Sequence, residues 1–444
     1  MEKIYIQTRG CTANLSDSET MTGLLTKAGF HIADSIEDSD VNIINICTVK
    51  GIVVPLREIM QFTEQFPDKK LIITGCISRD IIPRIRTINQ EASLVGTHNI
   101  HRIAEAVEEA LQGNVLEALA YERVNKAELP KAKVNEFIGI TPIASGCADF
   151  CSYCSVKLIK GNIFSYPETY IVDEVKRNVE HGCKEIWLTA QDTGAYGLDT
   201  GKRKLTNLLN EILDKAEGNY KIRLGMINPR HVMSIADELV QIYQDERMFK
   251  FLHIPVESGN NETLGKMGRK YNVHEFKEII NKFRRYVKDV TIATDMIVGF
   301  PTETELQFQD SLHLIQEIKP DVVNIARFSP RPNTIASRMK QLPGSIKKER
   351  SKAMRELFLS VALKQNEKWV GWKGKILIDE VGKNNTWSGR NFAYKPVILK
   401  GNFNLGQEVD VEIKDATAYD LRADILEKPE VGADVGDNVE ENYT

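Results

Sequence analysis

Three short runs open the chain, KIYIQTRG at 3 to 10, VNIINIC at 41 to 47 and LIITGC at 71 to 76, and stretches of helical period separate them. Near their centres the runs are apolar on both faces, as parallel strands are when helices cover the sheet on both sides. The pattern predicts an α/β fold whose first unit, residues 1–120, is a doubly wound parallel-sheet domain of ordinary size. The charged, proline-bearing segment 121–136, YERVNKAELPKAKVNE, reads as a linker.

Six further β-like runs follow: GITPIAS (139 to 145), EIWLTA (185 to 190), KIRLGMI (221 to 227), FKFLHIPV (249 to 256), VTIATDMIVGF (290 to 300) and VVNIARF (322 to 328). Helix-like stretches intervene each time. Such alternation implies a curling parallel sheet, and six units fall short of a closed eight-stranded barrel, so residues 137–365 are expected to form a partial (β/α)6 barrel. A basic helical stretch, IKKERSKAMRELFLSVALKQNEKW, leads into short strands broken by Gly and Asn, and 366–428 is expected to be a small β-barrel.

Composition narrows the class. With 42% hydrophobic and 27% charged residues, and no apolar run long enough to cross a bilayer, a cytoplasmic protein without membrane attachment is expected. The net charge of −4 argues against a polyanionic partner until its distribution is seen. Five acids and no base fall in the last sixteen residues, 429–444, which read as a disordered acidic tail. The seven cysteines are an odd number in a chain of this kind and point to metal or catalytic roles before disulfides.

In SGCADFCSYCSVK, Cys147, Cys151 and Cys154 follow the first barrel strand, at the end where parallel barrels carry their sites. Three thiolates on a four-iron cubane leave one iron open, and an open position is where chemistry happens. The bland alternatives are a zinc knuckle or three buried thiols, but no fourth Cys or His follows at short range to close a zinc site. Cys11, Cys47 and Cys76 each end one of the first three runs. Neighbouring parallel strands deliver such residues to one crevice, so a second three-thiolate set competes with three small buried hydrophobes.

The Cys-x3-Cys-x-aromatic-Cys segment, with Tyr153 as the aromatic, resembles the radical S-adenosylmethionine superfamily. That resemblance implies a 4Fe-4S cluster and a cofactor cleaved to a 5'-deoxyadenosyl radical. It places Tyr153 near the adenine and gives Gln191 in TAQDT and Glu257 in HIPVESGN the amino acid and ribose parts. MIVGFPTET resembles the adenine-contacting region, with Gly299 for close approach and Glu303 at its end, although Thr302 stands where relatives commonly have Gly. Arg269 in LGKMGRKY is a candidate grip for a carboxylate or phosphate. Strand-end caps and surface ion pairs are the plain alternatives for these polar residues.

With TRGCTANLSDSE, NICTVK, TGCISRD and FSPRPNT added, nearly the whole chain resembles the methylthiotransferase family. The resemblance implies two 4Fe-4S clusters, the N-terminal one handling inserted sulfur, and S-adenosylmethionine used both as methyl donor and as radical source. Electron relay is the other use a second cluster has. The last unit resembles the TRAM module of RNA-modifying enzymes, best in GRNFAYKPV, and Arg390, Lys395 and Lys400 are the candidate RNA contacts. GCTANLSDSE, FSYP and FSPRPNT look like the archaeal and eukaryotic branch, which converts N6-threonylcarbamoyladenosine at tRNA position 37 to its 2-methylthio form. Lys160-Gly161 departs from a common Arg-Gly, and the acidic end replaces the hydrophobic anchor of many eukaryotic members. Implied partners are the tRNA anticodon stem-loop, a sulfur donor and an electron donor. The competing readings are an isopentenyladenosine-type or ribosomal-protein aspartate methylthiotransferase and, from another class, a nonenzymatic metal-containing RNA-binding protein.

Overall fold

The computed structural model describes residues 2–383 and 385–426, the side chain of Lys50 excepted, so the acidic tail lies outside the described residues. The first sheet comprises β1 (Lys3–Thr8), β2 (His31–Ile32), β3 (Val41–Cys47), β4 (Lys70–Cys76), β5 (Ser93–Gly96) and β6 (Glu117–Ala118). All run parallel, in the order β2-β1-β3-β4-β5-β6. Alternation within the apolar runs feeds both faces: Ile43 and Ile72 pack with Met21 and Val107, whereas Ile44 and Ile73 pack with Ile59 and Phe62. Only β1, β3 and β4 were legible beforehand, because strands of two to four residues carry no visible period.

The barrel strands are β7 (Ile138–Pro142), β10 (Glu185–Thr189), β11 (Lys221–Leu224), β12 (Phe251–His253), β13 (Thr291–Val298) and β14 (Val322–Arg327); β8 (Ala144–Ser145) and β9 (Phe164–Ser165) make a short antiparallel pair. The six expected runs thus form two parallel triplets, β11-β10-β7 and β12-β13-β14. The triplets meet through an Ile222–Met248 bridge and an Ile227 N–H to His253 carbonyl bond of 2.9 Å. The result is an open, curling arrangement around one apolar core that includes Ile186, Leu188, Ile222, Leu252, Ile292 and Met296.

A helix, Gly344–Glu367, then leads to five strands, β15 (Lys373–Val381), β16 (Thr386–Arg390), β17 (Pro396–Lys400), β18 (Glu408–Ala416) and β19 (Leu421–Ile425). They close as β15-β16-β17-β19-β18, which leaves no free sheet edge. This small barrel sits against the amino ends of the large barrel's strands: Lys395 Nζ reaches Asp321 Oδ1, just before β14, at 2.6 Å, and the Lys250 N–H donates to the Phe392 carbonyl at 2.8 Å. Among the described residues, no helix is long and apolar enough to cross a membrane.

Glu185, at the start of β10, is fully buried beside this junction, and its Oε2 accepts from Trp187 Nε1 at 2.9 Å. Burial first, and then the charge of Asp379, pushes its carboxyl up from 4.5 to about 7. The folded state therefore holds this proton more tightly than the unfolded chain, so the contribution is complete below pH 4.5 and is lost as pH rises through about 7. Glu185→Gln is expected to remove that loss, at most about 3 kcal/mol, and thermal melts at acid and mildly alkaline pH measure it.

Candidate iron-sulfur and cofactor site

The strand pair β8–β9 brings the chain to Gly146, whose φ is +72°. A Cβ there would stand 2.1 Å from the Asn162 carbonyl oxygen, so only glycine lets the Cys147 N–H donate to the Gly161 carbonyl at 3.2 Å. The loop that follows is fixed from two other segments. Ser152 donates its N–H to Met267 O at 2.9 Å and its hydroxyl to Lys266 O at 2.7 Å, while its carbonyl accepts from the Ala336 N–H at 2.8 Å. Burial raises the Cys147 thiol to about 11 and the Cys154 thiol to about 12, and neighbouring negative charge adds to both. Three thiols so placed ionise together only with a cation among them, which is the condition metal binding supplies.

Among the described residues, the Asp149, Asp192 and His231 set alone brings three ligand-type side chains within 4.8 Å of one another.

Tyr153, Glu257 and Arg269 are brought together around Cys151. Tyr153 Oη donates to Glu257 Oε1 at 2.8 Å; Arg269 Nη1 donates to Cys151 Sγ at 3.4 Å, and its Nη2 lies 3.8 Å from Glu257. Glu257 has φ +70°, a strained conformation held by its backbone bonds to Asp295 and Ile297 beside β13. The Arg269 side chain is only 7% exposed, so the surface ion-pair alternative falls. Gln191 is half-buried just past the carboxyl end of β10. Gly299, after β13, also has positive φ, but its N–H is taken by Glu303 Oε2 at 2.8 Å. Glu303 is itself buried and paired with Arg350 at 2.7 Å, which fixes this loop to the long helix. Thr302 has φ +67°, the physical reason that glycine suits that position.

Cys47 and Cys76 are the last register pair of β3 and β4, and Cys11 caps the helix Thr12–Lys27. Cys11 Sγ contacts Asn14 Oδ1 at 3.4 Å; Asn14 in turn bonds Asn45 at 2.8 Å, which ties the first strand's exit to the second's. A hydrogen bond with Cys47, then burial, raises the Cys76 thiol, and the charge of Cys11 adds to this. The three sulfurs are therefore neighbours in the crevice outside the carboxyl ends of the strands, at the β1/β3 switch point.

Arg331, in FSPRPNT, links the two sets. Its Nε donates to Val49 O at 3.0 Å; burial lowers its pKa, and the charges of Cys154 and Cys47 oppose that fall. Arg331 was not singled out by sequence, and Lys160, which is buried, stood out only as a departure from Arg-Gly. Asp149, Asp192 and His231 were also missed, although TAQDT and the cysteine loop both contain a member. His231 lies 3.3 Å from Asp192 and 3.7 Å from Asp149, and Asn228 Nδ2 donates to Asp149 at 2.7 Å.

The expected RNA contacts divide. Arg390 pairs with Asp379 of the neighbouring strand β15 at 2.9 Å, within the small barrel, whereas the buried Lys395 is bonded to Asp321 and Asn366 and joins the two barrels. Lys400 is exposed, as are Lys348, Lys352 and Arg355 on the long helix.

Comparison with known proteins accords with this architecture. The Radical SAM superfamily matches residues 141–315, the uncharacterized protein family UPF0004 matches 3–96, and the TRAM domain matches 368–426. The solved structure of the radical S-adenosylmethionine methyltransferase TsrM from Kitasatospora setae shares the fold at TM-score 0.56 and 14% identity, over 76% of this chain and 75% of that one. The fold and the site therefore define a radical S-adenosylmethionine enzyme. A probable threonylcarbamoyladenosine tRNA methylthiotransferase of Pyrococcus horikoshii is 40% identical over 96% of this chain and 100% of its own length. The human threonylcarbamoyladenosine tRNA methylthiotransferase is 34% identical over 95% of this chain and 74% of its own. The chain belongs to this methylthiotransferase family, whose radical chemistry uses a 4Fe-4S cluster and S-adenosylmethionine.

Removing Arg269 leaves Cys151 and Glu257 buried without their cation. Arg269→Ala is expected to slow reductive cofactor cleavage by at least about tenfold and to lower retained iron, as read by product chromatography and iron assay.

Proposed function

We propose that this protein is a tRNA methylthiotransferase that converts N6-threonylcarbamoyladenosine at position 37 to its 2-methylthio derivative in the cytoplasm. The observation that carries the reading is the seat of the Arg331 loop: its Nε donates to the Val49 carbonyl, two residues past Cys47, while Asn333 and Thr334 line one cavity with Cys147, Cys151 and Cys154. Full-length identity to relatives named for this activity supports the substrate.

Cys147, Cys151 and Cys154 are proposed to hold one 4Fe-4S cluster, and Cys11, Cys47 and Cys76 a second. Bound, the first supplies reductive cleavage of S-adenosylmethionine and the second an open iron for sulfur. The chain's own residues do the rest. Arg269 keeps a positive charge against Cys151 and orients Glu257, and Tyr153 completes that hydrogen-bonded wall. Gln191 stands at the strand end where polar groups of a cofactor would lie. The Asp149, Asn228 and His231 contacts tie the cysteine loop to the next loops of the barrel, which keeps the loop from drifting when substrate enters. Exposed Lys400, Lys348, Lys352 and Arg355 offer phosphate contacts for the anticodon stem-loop. A sulfur donor and an electron donor complete the partners.

The roles separate by substitution. Cys147→Ala is expected to abolish reductive cofactor cleavage; Cys11→Ala is expected to spare cleavage and stop formation of the methylthio product. Equal loss of both activities in Cys11→Ala would contradict the division. Nucleoside mass spectrometry of tRNA from cells with and without the gene tests the substrate, and the 2-methylthio-threonylcarbamoyl nucleoside is expected to vanish with the gene. Its persistence, or loss of an isopentenyl counterpart instead, overturns the assignment.

A further inference from the structure

Lys160 ends the short helix Val156–Lys160 that begins two residues after Cys154. The residue is 5% exposed, and among the described residues no hydrogen bond or ion pair of its ammonium is seen. Burial alone lowers its pKa, but the charges of Cys76, Asp17, Cys11 and Cys47, in that order, outweigh burial and raise it. Asp17 is already committed. Its Oδ1 is paired with the buried Lys126 at 2.6 Å, and its Oδ2 accepts from Thr97 at 3.0 Å. Leu158, Ile159 and Gly161 line one cavity with Gly75 and Ile77, and His98 contacts the Ile159 carbonyl at 3.3 Å, so the segment that carries Lys160 packs against the exit of β4, where Cys76 stands.

A buried ammonium without a counter-charge costs several kcal/mol, whereas an anion beside it turns that cost into binding. A cubane held by three thiolates is net anionic, and a sulfur anion on its open iron adds to the charge. A lysine is suited to that ligand, because its ammonium is a compact point charge with no planar fork to satisfy. We infer that Lys160 is a positioning residue that holds an anionic sulfur ligand, hydrosulfide or persulfide, at the Cys11, Cys47 and Cys76 set. It is supplied by the segment that starts at the other cysteine set, so the sulfur is held at the border of the two sites. The inference rests on the second-cluster reading given above.

The test uses the full-length protein, reconstituted anaerobically with iron and sulfide, exposed to excess sulfide or to sulfide plus elemental sulfur, and desalted. Iron, acid-labile sulfide beyond the cluster complement, and cyanide-reactive sulfur are then measured. The last two distinguish bound hydrosulfide from persulfide. Lys160→Met is expected to keep wild-type iron and lose about tenfold of the retained extra sulfur. Lys160→Arg, which keeps the charge, is expected to restore at least half. Wild-type sulfur retention in Lys160→Met overturns the inference. So does joint loss of iron and sulfur that Lys160→Arg fails to restore, since that marks a merely structural lysine. Cys11→Ala keeps the two levels apart: if it holds as much iron as wild type, the second-cluster reading falls, whatever Lys160 does.

Discussion

A parallel strand can follow another only after the chain has crossed back over the sheet, so all carboxyl ends in such a sheet lie on one side. The site depends on that constraint twice. In the first sheet it brings Cys11, Cys47 and Cys76, tens of residues apart, into one crevice. In the barrel it places the Cys147 loop, Gln191, Glu257 and Gly299 around one mouth. The carboxyl-end rims are turned toward each other, and Lys160 and Arg331 occupy the seam. Burying sulfur at both rims raises thiol pKa values; Lys160, supplied by the barrel, opposes that rise at Cys76, and Arg269, within the barrel, opposes it at Cys151.

Legibility followed the length and regularity of each signal. The three long runs of the first sheet and all six barrel runs showed in the sequence because apolar residues fill them on both faces. SLVG at 93 to 96 was too short to read. The cysteine sets were legible because spacing and strand-end position are local properties. Arg269 was recoverable as a candidate, yet its partner Cys151 was not, since 118 residues separate them. Lys160 was noticed only as a departure from a pattern; that it is buried, and among which sulfurs, is a property of packing.

The misplaced RNA contacts have the same origin. Arg390 and Lys395 lie in a basic, aromatic segment that reads as an RNA-facing surface. In the structure Arg390 turns to Asp379 on the adjacent strand of its own barrel, and Lys395 turns to Asp321 as a buried link to the large barrel. Charge in a sequence does not say whether an opposite charge waits on a neighbouring element. Glu303 is the mirror case, a motif residue whose carboxylate Arg350 claims first.

The small barrel docks at the amino ends of the large barrel's strands, and the cysteines sit at the carboxyl ends. The eight residues of β13 span about 26 Å between the two levels. An RNA anchored on the small barrel must cover that height along the flank before its base reaches the mouth. A free nucleoside or a trinucleotide is too short to touch both places. A molecule in contact with both levels must therefore be at least that long, so the height of the strands sets a minimum reach for any ligand that touches the two barrels together.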